Sequence, residues 1–407
     1  MFVPAIAIEA LVKILLLVSA LMTGAAYFVL VERWIAAWIQ DRRGPNRAGI
    51  PLTRFRLWGL GQPIADGVKF FFKEEFTPGH VDRLLYRLAP ILLFTAAVVA
   101  FAAIPFGSVL PGGLFPPNWG VVEPIRLVVA PGLDVGILFV LAAGGAAVHG
   151  VLLAGWSSNN KYSLFGALRS AAQLISYEIP LGLGVLCVVV AAGSLRLEEI
   201  IAQQARAGVW NALSQPLAML VFGVAAWAEA GRLPFDLAEA EQELVGGYHT
   251  EYSGMKLMLL LVSEYLHMFI ASVLLVVLFL GGWHCWGLTG AGEQVGWIEA
   301  FVRVGVLLAK VVAVVFFFML ARWSWPRFRF DQLMALAWKV LVPLAMVQLV
   351  AAAVWAEYGV RIAAALGVSP AWPGCALGWA VLLAAGAAAV ALAPPGADNR
   401  PRAVVGR

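Results

Sequence analysis

From Glu229 to Lys256 the chain reads EAGRLPFDLAEAEQELVGGYHTEYSGMK, so Glu229, Asp236, Glu239, Glu241, Glu243 and Glu251 face only Arg232 and Lys256 as opposing charges. Carboxylates crowded at an apolar boundary repel one another and lose hydration, which favours groups that share and exchange protons. That chemistry is proton storage and transfer. A solvated acidic loop is the alternative, but the interleaved Leu233, Pro234, Phe235, Leu237, Leu244, Val245 and Tyr248 speak against free solvation. A helix over 237–245 would put Glu239 and Glu243 on one face, with Glu241 pointing elsewhere.

Further ionisable groups lie inside apolar runs, where they are costly and mark function by default. Glu178 stands in SYEIPLGLG, where Pro180 removes a helix donor and Gly182 and Gly184 permit irregularity, a setting that suits a hydrated or protonatable carboxyl. Glu264 and His267 in SEYLHMF share a helix face, and Lys310 sits deep in its run, whereas Lys13 is shallow enough to snorkel. For Glu178 and Glu264 the alternative is a neutral carboxyl hydrogen-bonded for helix packing. For His149, His267 and His284 the plainer reading is an imidazole at a helix contact. His284 beside Cys285 lacks further ligands nearby, so no metal site is expected.

The elements that must position these groups follow from composition. Of 407 residues, 62% are apolar and 13% charged, and mean hydropathy is +0.86. Ordinary soluble domains are roughly 45–50% apolar and about 25% charged, so a water-soluble globule is excluded. Apolar windows give nine candidate spans, at 7–31, 88–108, 134–155, 171–193, 214–230, 257–281, 300–321, 338–356 and 375–393. The runs are too long and too little alternating for barrel strands, so the expected fold class is all-α and polytopic. The first run lacks a basic flank and is read as a retained span rather than a cleaved leader.

Net charge is +4, but the basic residues are spread over separate loops, which argues against nucleic acid. One set of loops holds the arginines and lysines of 33–87 together with Lys161, Arg169, Arg232, Lys256, Arg322, Arg327, Arg329, Lys339 and the C-terminal arginines; the other holds only Arg126, Arg196, Arg206, Arg303 and Arg361. That asymmetry places the N-terminus outside and the C-terminus in the cytoplasm. Cys187, Cys285 and Cys375 are far apart and form no CxxC, and no GxGxxG or P-loop follows a strand-like run. Iron–sulfur clusters, structural zinc and nucleotides are therefore not expected on this chain.

Between Arg33 and Arg87, the stretch Gln62–Phe76 reads as a helix opened by Pro63, with Ile64, Val68, Phe71 and Phe72 on one face and Asp66, Lys69 and Lys73 on another. Such a helix suits the membrane interface, its alternative being a surface docked on a soluble partner.

The strings DRRGPNRAG (41–49), QPIADGVKFFFKEEF (62–76), AGWSSNNKYSLFGALRSAAQLISYE (154–178), PFDLAEAEQELVGGYHTEYSGMK (234–256), LFLGGW (278–283) and PRFRFDQLMALAWKVLVP (326–343) resemble the H-subunit family of respiratory complex I, the proton-pumping NADH:quinone oxidoreductase. The likeness covers about residues 9 to 356. It implies a subunit at the junction of the electron-transfer and pumping arms, with quinone (ubiquinone or menaquinone) as substrate. Flavin and iron–sulfur clusters would lie on partner subunits. Partners would be the peripheral quinone-site and terminal cluster subunits, neighbouring small membrane subunits and the lipid bilayer.

By motif match, the resemblance implies that Glu32, Arg33, Asp66 and Gly67 border the quinone passage, with Arg232 and Phe235 among the quinone-binding group. Glu229, Asp236, Glu239, Glu241, Glu243 and Glu251 would form an acidic funnel with Arg232, continued into the membrane by Glu178 and Glu264. The expected organisation is one integral membrane domain, with a cytoplasmic loop at 33–87, an acidic loop at 229–256, and an extra span and tail at 375–407. The family's ETNRAPFDLPE stands here as EAGRLPFDLAE, so Gly231 replaces Asn and Ala238 replaces Pro; His149 replaces a frequent Tyr, and 50–61 is longer than the short form of that loop. A membrane anchor of a related hydrogenase or formate-oxidising complex is the rival reading, and an independent transporter, which calls for paired broken helices, ranks lower.

Overall fold

The computed structural model describes residues 3–49, 58–111, 125–237, 245–290 and 295–392, and these are all-α apart from a two-residue antiparallel ladder of Val109–Leu110 with Ile125–Arg126 in the loop after the second span. Among the described residues, eight helices are long and apolar enough to cross a membrane, so the chain is a multi-pass membrane protein.

Helix α1 (Val3–Ile39) runs past the apolar stretch, because nothing breaks it before Asp41 turns into the left-handed region at φ 51°. At about 1.5 Å per residue it is about 55 Å long, more than a hydrocarbon core of about 30 Å requires. Glu32 and Arg33, expected at the start of a loop, are therefore on its last turns. Helix α2 (Gln62–Phe72) has Pro63 in its first turn, as expected, but stops four residues early where Lys73 turns extended at ψ 136°. Its Ile64, Val68, Phe71 and Phe72 are exposed, as an interfacial face requires.

Helices α3 (Arg83–Ala100) and α4 (Gly136–Ser157) pack together, and α4 lies against α5 (Lys161–Ala192). Asp82 caps α3 by accepting from the amides of Leu84 and Leu85. Pro180 does not interrupt α5, contrary to the reading of a disrupted helix. It only withdraws the donor that the Ser176 carbonyl would have used. The neighbouring Gly184 lets α8 approach, since a β-carbon there would meet Phe222 at 3.2 Å.

After α6 (Leu197–Ala207) and the single turn α7 (Asn211–Ser214), the fifth apolar run forms α8 (Pro216–Glu229), only 14 residues long. About 21 Å of helix cannot bridge the bilayer core alone. The chain continues instead as irregular backbone over 230–237, with Ala230, Arg232, Phe235, Asp236 and Leu237 all buried. Non-helical backbone at such a place is tolerated only inside protein or along a cavity.

Helix α9 (Gly254–Phe279) is the most buried span and sits at the centre of the bundle. Helix α10 (Trp297–Ser324) packs beside it, followed by α11 (Phe330–Ala335), a π-helical turn at Leu336–Leu341 and α12 (Val342–Leu366), which together make one crossing. Helix α13 (Ala371–Leu392) is the least buried and lies outermost.

Candidate functional site

Four of the ionisable groups singled out in the sequence converge where α4, α5, α8 and α9 meet. Glu178 from α5, Glu229 from the last turn of α8, and Glu264 and His267 from α9 line one cavity of about 50 Å³, together with Ser170, Gln173 and Tyr248. That volume suffices for about three water molecules. A smaller void of about 20 Å³ shares Gly144, Glu229 and His267. His267 is thus part of the carboxylate site and not a plain helix-contact imidazole; its Nε2 has no hydrogen-bond partner among the described residues. His149 is exposed on α4, and His284 is buried with Nδ1 3.5 Å from the Thr289 hydroxyl.

Room for the two inner carboxylates comes from a glycine pair on α4. A β-carbon on Gly145 would stand 2.9 Å from Glu178 Oε1, and one on Gly144 would stand 3.3 Å from Glu229 Oε1. Both side chains reach the cavity through space that any larger residue would fill. Nothing in the sequence flags this pair, which reads as helix-contact glycine in an apolar run.

A crossbrace holds the irregular chain after α8. Gln173 Nε2 donates to the carbonyls of Ala228 at 2.7 Å and Phe235 at 2.8 Å, so one side chain of α5 fixes the end of α8 and the buried loop together. Phe235 is wedged among the rings of Tyr177, Trp227 and Phe328, at centroid distances of 5.9, 6.2 and 5.5 Å. Its ring anchors the loop. Gly231 sits at φ +63°, a region open to glycine and, among other residues, chiefly to Asn and Asp.

Glu264 is the hub of a second group. It accepts from the Tyr248 hydroxyl at 2.9 Å, and lies 3.4 Å from Arg232 Nη2 and 3.4 Å from His249 Nε2. The Arg232 guanidinium stacks over the Tyr265 ring at 4.2 Å, and the Tyr265 hydroxyl donates to Glu32 Oε2 at 2.7 Å. Glu32, itself buried, pairs with Arg322 of α10. A continuous polar path therefore joins the cavity to the end of α1. One residue further on, Arg33 binds Asp66 of α2 at 2.7 Å, and Gln62 Nε2 steadies the same carboxylate at 3.1 Å. Gly67 meets nothing within 4 Å of a would-be β-carbon.

Of the expected acidic funnel, Asp236 is 3.4 Å from Arg327, and Glu251 accepts from Asn160 Nδ2 at 2.7 Å. Glu239, Glu241 and Glu243 lie outside the described residues. The far end of the acidic segment is pinned to α3: Tyr86 donates to the Glu251 carbonyl at 2.6 Å, and Tyr252 stacks on Tyr86 at 4.2 Å while donating to its carbonyl. Burial pushes the Tyr252 phenol up to about 12, so it stays a donor at any physiological pH.

Lys310 belongs to neither group. Its ammonium donates to the carbonyls of Leu280, Gly282 and His284 at 2.6, 3.1 and 2.6 Å and lies over Trp210 at 4.3 Å, closing the open C-terminus of α9. Among the described residues no group of three His, Cys, Asp or Glu side chains is placed to hold a metal ion, and the three cysteines are separate and free. The donor set does not fit an iron–sulfur cluster.

Residues 12–353 match the family model described as NADH dehydrogenase. The chain is 44% identical over 354 residues to the NADH-quinone oxidoreductase H subunit of Leptospira biflexa, covering 85% of this chain and 94% of that protein. It is 46% identical over 339 residues to the first-numbered NADH-quinone oxidoreductase H subunit of Geobacter metallireducens, with 83% and 94% covered. The second-numbered H subunit of Rhizobium meliloti is 43% identical over 339 residues, with the same coverage. Helix α13 falls beyond the matched region.

Proposed function

Since the chain belongs to the NADH dehydrogenase family of NADH-quinone oxidoreductase H subunits, we propose that it is a membrane component of a proton-pumping NADH:quinone oxidoreductase, forming one wall of the quinone chamber and a proton relay leading away from it. Its place is the cytoplasmic membrane, N-terminus outside, within a single membrane domain whose 33–87 and 229–256 segments face the electron-transfer arm. Flavin and iron–sulfur clusters belong to partner subunits of that arm, and small membrane subunits flank the chain.

The observation that carries this reading is the convergence of Glu178, Glu229, Glu264 and His267 on one cavity that a polar path connects to Glu32, beside the Arg33–Asp66 pair. Arg33 and Asp66 lie next to the exposed apolar side chains of α2, a polar strip beside an apolar wall, which suits the passage of a quinone with a polar head and an isoprenoid tail. Reduction of quinone consumes protons and changes the local charge. Arg232, held between Glu264 and the Tyr265 ring, is placed to feel that change. A shift of Arg232 alters the field at Glu264, and the proton affinities of Glu229 and Glu178 follow across the cavity. This chain supplies positions for protons and a charge lever; electrons stay on its partners.

The test is Glu178→Gln and Glu229→Gln in the assembled enzyme, reconstituted in vesicles. Both variants are expected to assemble and to lose proton pumping coupled to NADH oxidation. Unchanged pumping in both would refute the relay.

A further inference from the structure

Two voids meet at His267: the carboxylate cavity of about 50 Å³, and the smaller one of about 20 Å³. On each of the four helices around them the lining residues step the same way, from Gly144 to Val140 on α4, Glu178 to Leu181 on α5, Glu229 to Phe222 on α8 and Glu264 to Leu274 on α9. The smaller void is thus the deeper continuation of the larger, leading away from the 230–253 segment. Among the described residues Glu229 and His267 are its only ionisable side chains, and both line the larger cavity as well. The rest of its wall is apolar. At its far end Phe222 packs on Phe279 with ring centroids 5.5 Å apart, and both rings are fully buried.

His267 is half-buried although Leu266 and Met268 on either side of it are buried, so its open surface is what it presents to the two voids. Its Nε2 is closed off and has no hydrogen-bond partner among the described residues. The ring therefore meets cavity water through its other nitrogen, Nδ1. A histidine that conducts takes a proton on one nitrogen and releases it from the other. With Nε2 shut away, His267 returns a proton by the edge that received it.

The charges around the ring suit a proton held there for a time. Glu178 of α5, Glu229 of α8 and Glu264 of α9 face the cavity with Tyr248, and Arg232 and His249 reach Glu264 from the 230–253 segment. Helices α3 and α4 contribute only apolar side chains and glycines. Three carboxylates against one guanidinium leave place for one more positive charge, opposed by the cost of burying it. We propose that His267 is a proton-storing residue of the relay, loaded from Glu229 across cavity water and unloaded by the same route, so that the relay ends at His267 and no proton crosses the membrane through the deeper void. In the step the Glu229 O–H bond breaks as a water takes its proton, and that water passes a proton to Nδ1. Neutral carboxyl and imidazole become carboxylate and imidazolium, with no net change of charge. The inference rests on the relay reading above and adds the place where that relay closes.

The test uses the assembled enzyme in vesicles, with His267→Gln, which keeps a hydrogen-bonding head that cannot be charged, and His267→Phe, which keeps a ring. Protons pumped per electron are followed from about pH 6 to about pH 9, beside quinone reduction in the presence of an uncoupler. The unaltered enzyme is expected to show a pH step that both variants lose, with at least twofold less pumping near neutrality and uncoupled quinone reduction within about twofold. Where His267→Phe fails to assemble, His267→Gln decides. Ala271→Val, which fills the deeper void, should pump normally. An unchanged pH step in His267→Gln, a loss of quinone reduction equal to the loss of pumping, or a loss of pumping in Ala271→Val would each overturn the proposal. Normal pumping in Glu178→Gln and Glu229→Gln would instead remove the relay itself, whereas their failure beside a normal His267→Gln would remove only the store.

Discussion

The carboxylate of Glu178 occupies the space of an absent side chain on the facing helix, 2.9 Å from where a β-carbon on Gly145 would stand. Gly145→Ala must therefore move that carboxylate without touching the charge. If Glu178 serves as a proton site, a displacement that raises the transfer barrier by about 1.4 kcal/mol slows coupled turnover about tenfold. Gly144→Ala, with 3.3 Å to Glu229, should do less, and Gly182→Ala, which meets nothing within 4 Å, should do nothing. Pumping rates of the three variants in vesicles, normalised to assembled enzyme, would show that order; equal rates would remove Gly145 from the site.

Tyr265 joins two functions that one substitution can separate. Its hydroxyl donates to the buried Glu32, while its ring carries Arg232. Tyr265→Phe removes the hydroxyl, with its bond to Glu32 and its hydrogen bond with the Arg232 side chain, but leaves Glu32 to Arg322 and the ring under Arg232, a loss of about 1.5–3 kcal/mol for each hydrogen bond to a charged group. Tyr265→Leu removes the ring as well. On the proposed reading, Phe raises the KM for quinone with modest loss of turnover, whereas Leu abolishes coupling as Arg232 loses its seat. Steady-state kinetics with a soluble quinone analogue distinguishes them, and identical profiles for the two variants would show that the Arg232 stacking is idle.

Much of this arrangement is legible in the chain. Glu178, Glu264 and Glu229 are marked by their cost in an apolar setting, and all three reach the same cavity. Period and length locate the spans, because a bilayer demands about 20 apolar residues whatever the tertiary contacts. What escapes is everything set by contact between helices distant in sequence. Gly144 and Gly145 matter only because α5 and α8 face them, and Gln173 braces residues 55 and 62 positions away. Pro180 signals a break that the helix absorbs, because its ring only withdraws one donor from the Ser176 carbonyl.

Gln173 should prove the most sensitive uncharged residue near the site. Gln173→Leu keeps the volume but strips one donor from each of the Ala228 and Phe235 carbonyls, which keep only their local backbone bonds from Gly231 and Leu237. At about 0.5–1.5 kcal/mol for each hydrogen bond lost the local cost is about 1–3 kcal/mol. The buried 230–237 segment is expected to loosen, exposing Arg232 and Phe235. Hydrogen exchange of that segment in the purified enzyme should rise while α3 stays protected, and unchanged protection would mean the brace is dispensable.

Lys310 provides the contrast that separates stability from coupling. A lysine deep in a span invites a role in proton transfer, yet its three hydrogen bonds go to carbonyls at the end of α9, on the far side of the bundle from the carboxylate cavity. Lys310→Met keeps the apolar stem and strips the donors, so the α9 terminus loses its cap at a cost of about 2 kcal/mol or more. Thermal stability of the assembled enzyme should fall, with protons pumped per electron unchanged in the enzyme that survives. Lys310→Arg retains donors and charge on a longer, planar head, so partial recovery of stability is expected. A variant of normal stability that pumps fewer protons per electron would instead place Lys310 on the proton path and reassign the α9 end from structure to transport.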